Sequence, residues 1–144
     1  FPLLRAGAQT CLDVPGGPMR PGIDQVAGTA TDWHSIQDWL AVADEDGAVV
    51  VASPDVPLVQ CGGINTGLWS REARATNGVA MSWALNNYWF TNFPVRQGGE
   101  LRYRYSLAYQ PGAFEPRRAA AFGAGIRHPP WGLAVRLSPK WSRT

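Results

Sequence analysis

The feature that most constrains the fold is an alternating pattern between Leu101 and Gln110. Leu or Tyr occupies every odd position of this segment, while Arg, Ser, Ala and Gln occupy the even positions. A period of two places the two sets on opposite faces of a β-strand, whereas a helix would mix them. The pattern therefore predicts a strand over residues 101–109 with one buried face and one wetter face.

Other strand-forming segments recur at short intervals and are separated by turn residues. The further predicted strands are residues 10–14, 37–43, 48–52, 57–60, 81–90 and 133–137. Residues 81–90 are apolar or aromatic on both faces, which predicts a central strand, whereas 10–14 is predicted to be an edge strand. Residues 44–47 are predicted to join their neighbours as a hairpin. Strands at this spacing predict an all-β fold, an antiparallel β-sandwich.

One short helix is predicted near residues 116–122. Pro116 suits a first helical position, and Gly123 suits the stop that follows the last turn. A length of 144 residues is typical of a single domain. We expect residues 1–144 to form one β-sandwich domain, with 1–112 as the main sheet core. Residues 113–144 would then supply the helix and a Pro-rich C-terminal extension.

Charge, hydropathy and cysteine content exclude several classes of function. A net charge of +2 with scattered Arg residues argues against nucleic-acid binding. No apolar run approaches the roughly 18 residues that a membrane-spanning helix needs. Cys11 and Cys61 match no zinc-site spacing, and two buried thiols are favoured over one disulfide. We expect no metal or other cofactor in this chain, and a bacterial cytoplasmic location.

No catalytic residue is predicted. Asp32-Trp33-His34-Ser35 has the residue types of a hydrolytic triad, but triad members converge from separate elements. A turn with a partly exposed His34 is the favoured interpretation. The glycine-rich residues 61–67 lack the Lys-Ser/Thr of a phosphate loop and predict a plain turn. None of the possible carboxylate pairs stands out as the pair that a glycosidase needs.

The run Asn86-Asn87-Tyr88-Trp89-Phe90-Thr91-Asn92 combines aromatic rings with planar amides. Sugar rings stack on aromatic faces while amides bind the neighbouring hydroxyls. The candidate carbohydrate contacts are therefore Asn86, Asn87, Trp89 and Asn92. The alternative is that the aromatic rings fill the core and the amides bond nearby backbone groups.

This run, with Gln97-Gly98-Gly99 and residues 101–107 after it, resembles the C-terminal β region of glycoside hydrolase family 38, the α-mannosidases. Further similar pieces occur in the family's order. They are residues 20–25, 32–33, 37–39, 52–59, 62–65 and 122–123. The family often has His after the Tyr-Trp pair, where this chain has Phe90.

The resemblance implies part of a galactose-mutarotase-like supersandwich. Family enzymes are several times longer and hold zinc and the catalytic carboxylates in an N-terminal α/β barrel, which no residue here matches. The chain would then be a non-catalytic C-terminal β-domain, inactive alone, that supports the barrel and contributes to carbohydrate binding. Zinc would belong to the catalytic domain of the parent enzyme.

The expected partners are the rest of the parent glycosidase, a second copy through an exposed apolar face, and mannose-type carbohydrate. The alternative function is a free-standing carbohydrate-binding module.

Overall fold

The computed structural model describes residues 7–30, 33–64, 70, 78–85, 92 and 95–132. The strands and the helix in these residues are β1 (Gln9–Val14), β2 (Gly17–Met19), β3 (Trp33–Ser35), β4 (Trp39–Ala43), β5 (Gly47–Ala52), β6 (Leu58–Cys61), β7 (Ala80–Ser82), β8 (Ser106–Pro111) and α1 (Pro116–Arg127). The strands form two antiparallel sheets, in the orders β2-β1-β4-β5-β8 and β3-β6-β7. The predicted all-β fold with one short helix is confirmed.

The central strand β4 is buried on both faces. Leu40 and Val42 point toward the smaller sheet and share one apolar cluster with Val59. Trp39 and Ala41 point the opposite way and lie in a second cluster beneath α1. The larger sheet is therefore covered by the smaller sheet on one face and by the helix on the other.

The hairpin between β4 and β5 forms as predicted, with Trp39 opposite Ala52 and Ala43 opposite Ala48. Its turn closes on the Asp44 carboxylate, which accepts hydrogen bonds from the backbone N–H groups of Asp46 and Gly47. A short side chain that bonds the backbone ahead of it is a common way to stabilise a tight turn.

The helix begins at Pro116 as predicted but continues to Arg127. Gly123 is buried inside it, and a Cβ added there would lie 3.0 Å from Trp39 Cδ1 and from Asp38 Cβ. The glycine therefore serves close packing of helix on sheet rather than ending the helix. Arg127, in the last turn, forms an ion pair with the Asp38 carboxylate and donates to the Gln37 carbonyl.

The prediction that residues 10–14 form an edge strand is wrong, because β2 pairs with the outer side of β1. The chain reverses at Gly16 and Gly17, whose φ angles of 105° and 129° are ones that side-chain-bearing residues rarely adopt. Val14 and Gly17 are consequently opposite each other, and β2 begins directly after the turn at Pro15 and Gly16.

The predicted strand over 101–109 is only partly correct, because β8 begins at Ser106 and residues 101–105 are irregular. The face of β8 predicted to be buried is the exposed one. Leu107 and Tyr109 are 63% and 59% exposed, while Gln110 is buried. The smaller sheet packs over β1, β4 and part of β5, and leaves this face of β8 uncovered.

The predicted central strand over 81–90 is also shorter and differently placed. β7 spans Ala80–Ser82 and lies beside β6 at one side of the smaller sheet, and residues 83–85 are not in a strand. Residues 86–90 and the predicted strand 133–137 lie outside the described residues.

Both cysteines are free and buried, as predicted. Burial raises the pKa of the Cys11 thiol to about 11, so this group is a neutral part of the core. Among the described residues, no helix has the length and apolar character needed to cross a bilayer.

We predict that Gly123→Ala destabilises the chain by about 1–3 kcal/mol, because the new methyl group lies 3.0 Å from the Trp39 ring and 3.2 Å from the backbone carbonyl carbon of Asp38. The matched control is Gly125→Ala on the same helix, where an added Cβ meets nothing within 4 Å. Better helix propensity should leave that variant unchanged or more stable by up to about 1 kcal/mol. Urea unfolding measures both, and equal stabilities of the two variants would contradict the packing described for α1.

Candidate functional site

Three of the predicted carbohydrate contacts, Asn86, Asn87 and Trp89, lie outside the described residues. The fourth, Asn92, is exposed. Residues 82–85, which come directly before this run, lie within the described part of the chain, and Ser82 and Ala84 contact a distant segment.

Two tyrosines attach the irregular segment 101–105 to the residues that enter the run. The hydroxyl groups of Tyr105 and Ser82 are 2.9 Å apart, within hydrogen-bonding distance. Tyr103 donates its hydroxyl hydrogen to the carbonyl of Ala84, at 3.0 Å. Because Tyr103 and Tyr105 are two positions apart, an extended backbone directs both side chains to the same side. Segment 101–105 therefore lies alongside residues 82–84, at the end of β7.

Arg104, between the two tyrosines, is bound to the carboxylate of Asp55. Its backbone N–H, Nε and Nη2 donate hydrogen bonds to Asp55 at 2.8, 3.0 and 2.8 Å. Asp55 lies in the β5–β6 turn, where the Ser53 hydroxyl oxygen accepts a bond from the N–H of Val56. We call Asp55, Ser82, Ala84, Tyr103, Arg104 and Tyr105 the Asp55–Arg104 cluster. Through residues 103–105, the cluster joins the β5–β6 turn to residues 82–84. The turn connects the two sheets, and residues 82–84 come shortly before the Asn86–Asn92 run.

The electrostatics of this cluster are those of a structural ion pair. Hydrogen bonds from Arg104 hold the pKa of Asp55 at about 2, so its carboxyl group is ionised at neutral pH. A group whose oxygens already accept three hydrogen bonds from one residue is poorly placed to take a proton from a substrate. The role of the cluster is therefore to attach segment 101–105 to the β5–β6 turn.

A second arrangement, on the outer face of the smaller sheet, contains aromatic rings and an amide. Trp33 and Trp83 lie with ring centroids 4.3 Å apart and planes tilted by 31°. Trp83 Nε1 is 3.4 Å from Gln60 Oε1, and Gln60 is only 1% exposed. Both indoles are partly exposed, so the pair presents an aromatic surface beside a fixed amide. We call Trp33, Gln60 and Trp83 the tryptophan platform.

Sequence reasoning missed the tryptophan platform, because its two rings are far apart in the chain. They meet only because β3 and β7 both pair with β6. Gln60 is opposite Trp33 on one side, and the N–H of Trp83 bonds the Leu58 carbonyl on the other. The prediction of a turn at 32–35 with a partly exposed His34 is also wrong. Residues 33–35 form β3, which pairs with β6, and His34 is buried.

Two cavities are lined by described residues. One, of about 590 Å³, opens between the sheets and is largely apolar, with Met81, Tyr105 and Leu107 in its wall. The other, of about 730 Å³, lies near the start of β1 and is lined in part by Cys11, Arg20 and Glu45. Within the described part of the chain, no group of three or more His, Cys, Asp or Glu side chains could hold a metal ion.

Two pairs of the segments on which the predicted resemblance rests contact each other, and a third segment makes contacts within itself. Residues 52–59 meet 101–107 through Asp55 and Arg104. Residues 37–39 meet 122–123 where Trp39 packs on Gly123. Residues 20–25 close on themselves, because Arg20 binds the Asp24 carboxylate through both its backbone and its guanidinium group.

No family model, curated protein or solved structure matches the chain.

We predict that the Asp55 carboxyl group titrates near pH 2 and that Arg104→Gln raises this midpoint toward the ordinary value of 3.8. Its pKa is lowered by folding, so the stability that it contributes is complete above about pH 4 and is lost as pH falls through 2. Carboxyl-carbon NMR titration measures the midpoint.

The matched control is Arg20→Gln, because Arg20 likewise holds the pKa of Asp24 at about 2. Each substitution should move the midpoint of its own partner and leave the other unchanged. An Asp55 midpoint near 4 in the unsubstituted chain would show that the Arg104 contact does not persist in solution.

Proposed function

We propose that this chain is the non-catalytic C-terminal β-domain of a family-38-type, α-mannosidase-like glycoside hydrolase, with the task of supporting the catalytic barrel. The observation that carries the proposal is the set of family-like pieces in family order, two pairs of which meet in space. The contacts Asp55–Arg104 and Trp39–Gly123 join residues that are 49 and 84 positions apart. Each contact holds two of these segments together in the folded chain.

The contacts of the described acidic side chains in these pieces support a packing role. Asp24 and Asp55 each bind an arginine, and their pKa values are about 2. Asp38 forms an ion pair with Arg127. A retaining glycosidase needs one carboxylic acid that stays protonated and one free carboxylate about 5 Å from it across a cleft. In contrast, these three carboxylates tie strands, turns and the helix together.

The uncovered face of the larger sheet is the surface that the rest of the enzyme would occupy. Tyr105, Leu107 and Tyr109 are exposed there, beside the apolar cavity between the sheets. Large exposed apolar surfaces mark interaction sites in soluble proteins. Covering this surface would stabilise both the β-domain and the part of the enzyme that packs on it.

Activity measurements test the proposal directly. The purified chain should not hydrolyse an aryl α-mannoside, with or without zinc. Addition of the chain to a separately produced barrel portion of a family-38 enzyme should raise the activity and melting temperature of that portion, while an unrelated β-sandwich should not. Zinc-dependent turnover by the chain alone, abolished by one substitution within it, would overturn the proposal.

The second candidate function is a carbohydrate-binding module, and the tryptophan platform is the observation that favours it. Two indoles in contact, both partly exposed, offer the kind of aromatic surface on which sugar rings stack. Trp83 of the platform comes three positions before the Asn86–Asn92 run, where the sequence has Asn86, Asn87, Trp89 and Asn92.

Under this second function, mannose or mannobiose should change the tryptophan fluorescence in a saturable manner. Trp83→Ala and Trp89→Ala should each weaken the binding, because both remove a stacking surface. Trp131→Ala is the control, because Trp131 is 98% exposed and lies outside the tryptophan platform. A fluorescence signal that no sugar alters at millimolar concentration would exclude the module.

A further inference from the structure

The strand β8 is the last member of the larger sheet. It pairs with β5 along one edge, and no strand among the described residues pairs with its other edge. None of its six residues, Ser106–Pro111, carries a charge. Proteins usually protect such edges with charged side chains, with bulges or with covering segments. An uncharged edge with two exposed apolar side chains is therefore well suited to pairing with another strand.

The hydrogen bonding of β8 with β5 determines which backbone groups remain free. The N–H of Gly112 bonds the carbonyl of Asp46. These two residues are opposite each other, one position beyond the Gly47–Pro111 pair, and form a hydrogen-bonded pair. In an antiparallel ladder, hydrogen-bonded and non-hydrogen-bonded pairs alternate. Ser106, Ala108 and Gln110 are therefore the residues that bond β5. It follows that Leu107 and Tyr109 direct their N–H and C=O groups outward.

We propose that a second copy of this chain pairs with β8, antiparallel to it, about a two-fold axis at Ala108. In this register Leu107 lies opposite the partner's Tyr109, and Tyr109 lies opposite the partner's Leu107. Both are hydrogen-bonded pairs, so four N–H···O=C bonds form and the outward N–H groups of both residues are used. Pro111 has no N–H and limits further pairing. The two larger sheets become one continuous sheet of ten strands.

Side chains and charge favour the same register. Leu107 and Tyr109 are on one face of β8, so pairing places each Leu107 beside the partner's Tyr109. Two side chains that are now 63% and 59% exposed would bury part of their apolar surface. The nearest arginine before the strand, Arg104, is bound to Asp55, so its charge is already compensated. An isologous contact of this kind closes as a dimer and does not extend into a fibre.

This pairing goes beyond the proposed function, because it requires neither a parent glycosidase nor a sugar. Failure of the barrel-addition experiment would leave the dimer unaffected. Conversely, a chain that stays monomeric would leave the proposed domain role intact.

Disulfide trapping tests the register. Ala108 lies opposite itself as a non-hydrogen-bonded pair, where Cα atoms are about 4.5 Å apart and a disulfide can form. Ala108→Cys should therefore give a covalent dimer on mild oxidation. Ser106→Cys should not, because its two copies are four residues out of register, about 13 Å apart. The native thiols are buried, and the unsubstituted chain under the same oxidation is the background control.

Sedimentation velocity tests the interaction itself. The unsubstituted chain should shift from monomer to dimer as concentration rises, and Leu107→Lys should weaken dimerisation at least tenfold by adding a charge to each copy of the edge. Val26→Lys is the matched control, because Val26 is 79% exposed and lies far from β8 in the sequence. A monomer at all concentrations would overturn the proposal. A dimer that Leu107→Lys leaves intact and that Ala108→Cys does not trap would also overturn it.

Discussion

The burial of β4 on both faces is the constraint on which the rest of the structure depends. Leu40 and Val42 bring the smaller sheet onto one side, and Trp39 brings α1 onto the other. Removing either cover would expose a row of apolar side chains at the centre of the larger sheet. Gly123 matters for this reason, since only a residue without a side chain lets the helix approach the Trp39 ring so closely.

Local features of the chain could be predicted from the sequence, whereas pairings between distant segments could not. The β4–β5 hairpin and the start of α1 at Pro116 follow from turn residues and helix-start chemistry. The exposure of Leu107 depends on how far the smaller sheet extends, and alternation alone does not contain that information. The Trp33–Trp83 contact likewise requires two strands to flank β6. Of the predicted site residues, the structure describes Asn92, and places it at the surface.

The described residues just before the Asn86–Asn92 run are held in place by contacts with a distant segment of the chain. The contacts come from Tyr103 and Tyr105, and the arginine between them is fixed by Asp55. An arginine with three bonds to one carboxylate orders both backbone segments, because planar guanidinium and carboxylate groups match in geometry. The cluster thus holds residues 82–84, which come shortly before a sequence rich in aromatic rings and amides, at a defined point of the fold. Supporting a larger enzyme and presenting a surface to sugar both require such placement.

The mass and peptide sequence of the natural gene product test the proposed origin most directly. The chain alone has a mass of 15.7 kDa. If it is the C-terminal β-domain of a family-38-type enzyme, the product isolated from its source cells should be several times heavier and yield peptides of a zinc-binding α/β barrel. A natural product of about 15.7 kDa, with no barrel encoded upstream in the same reading frame, would contradict this origin.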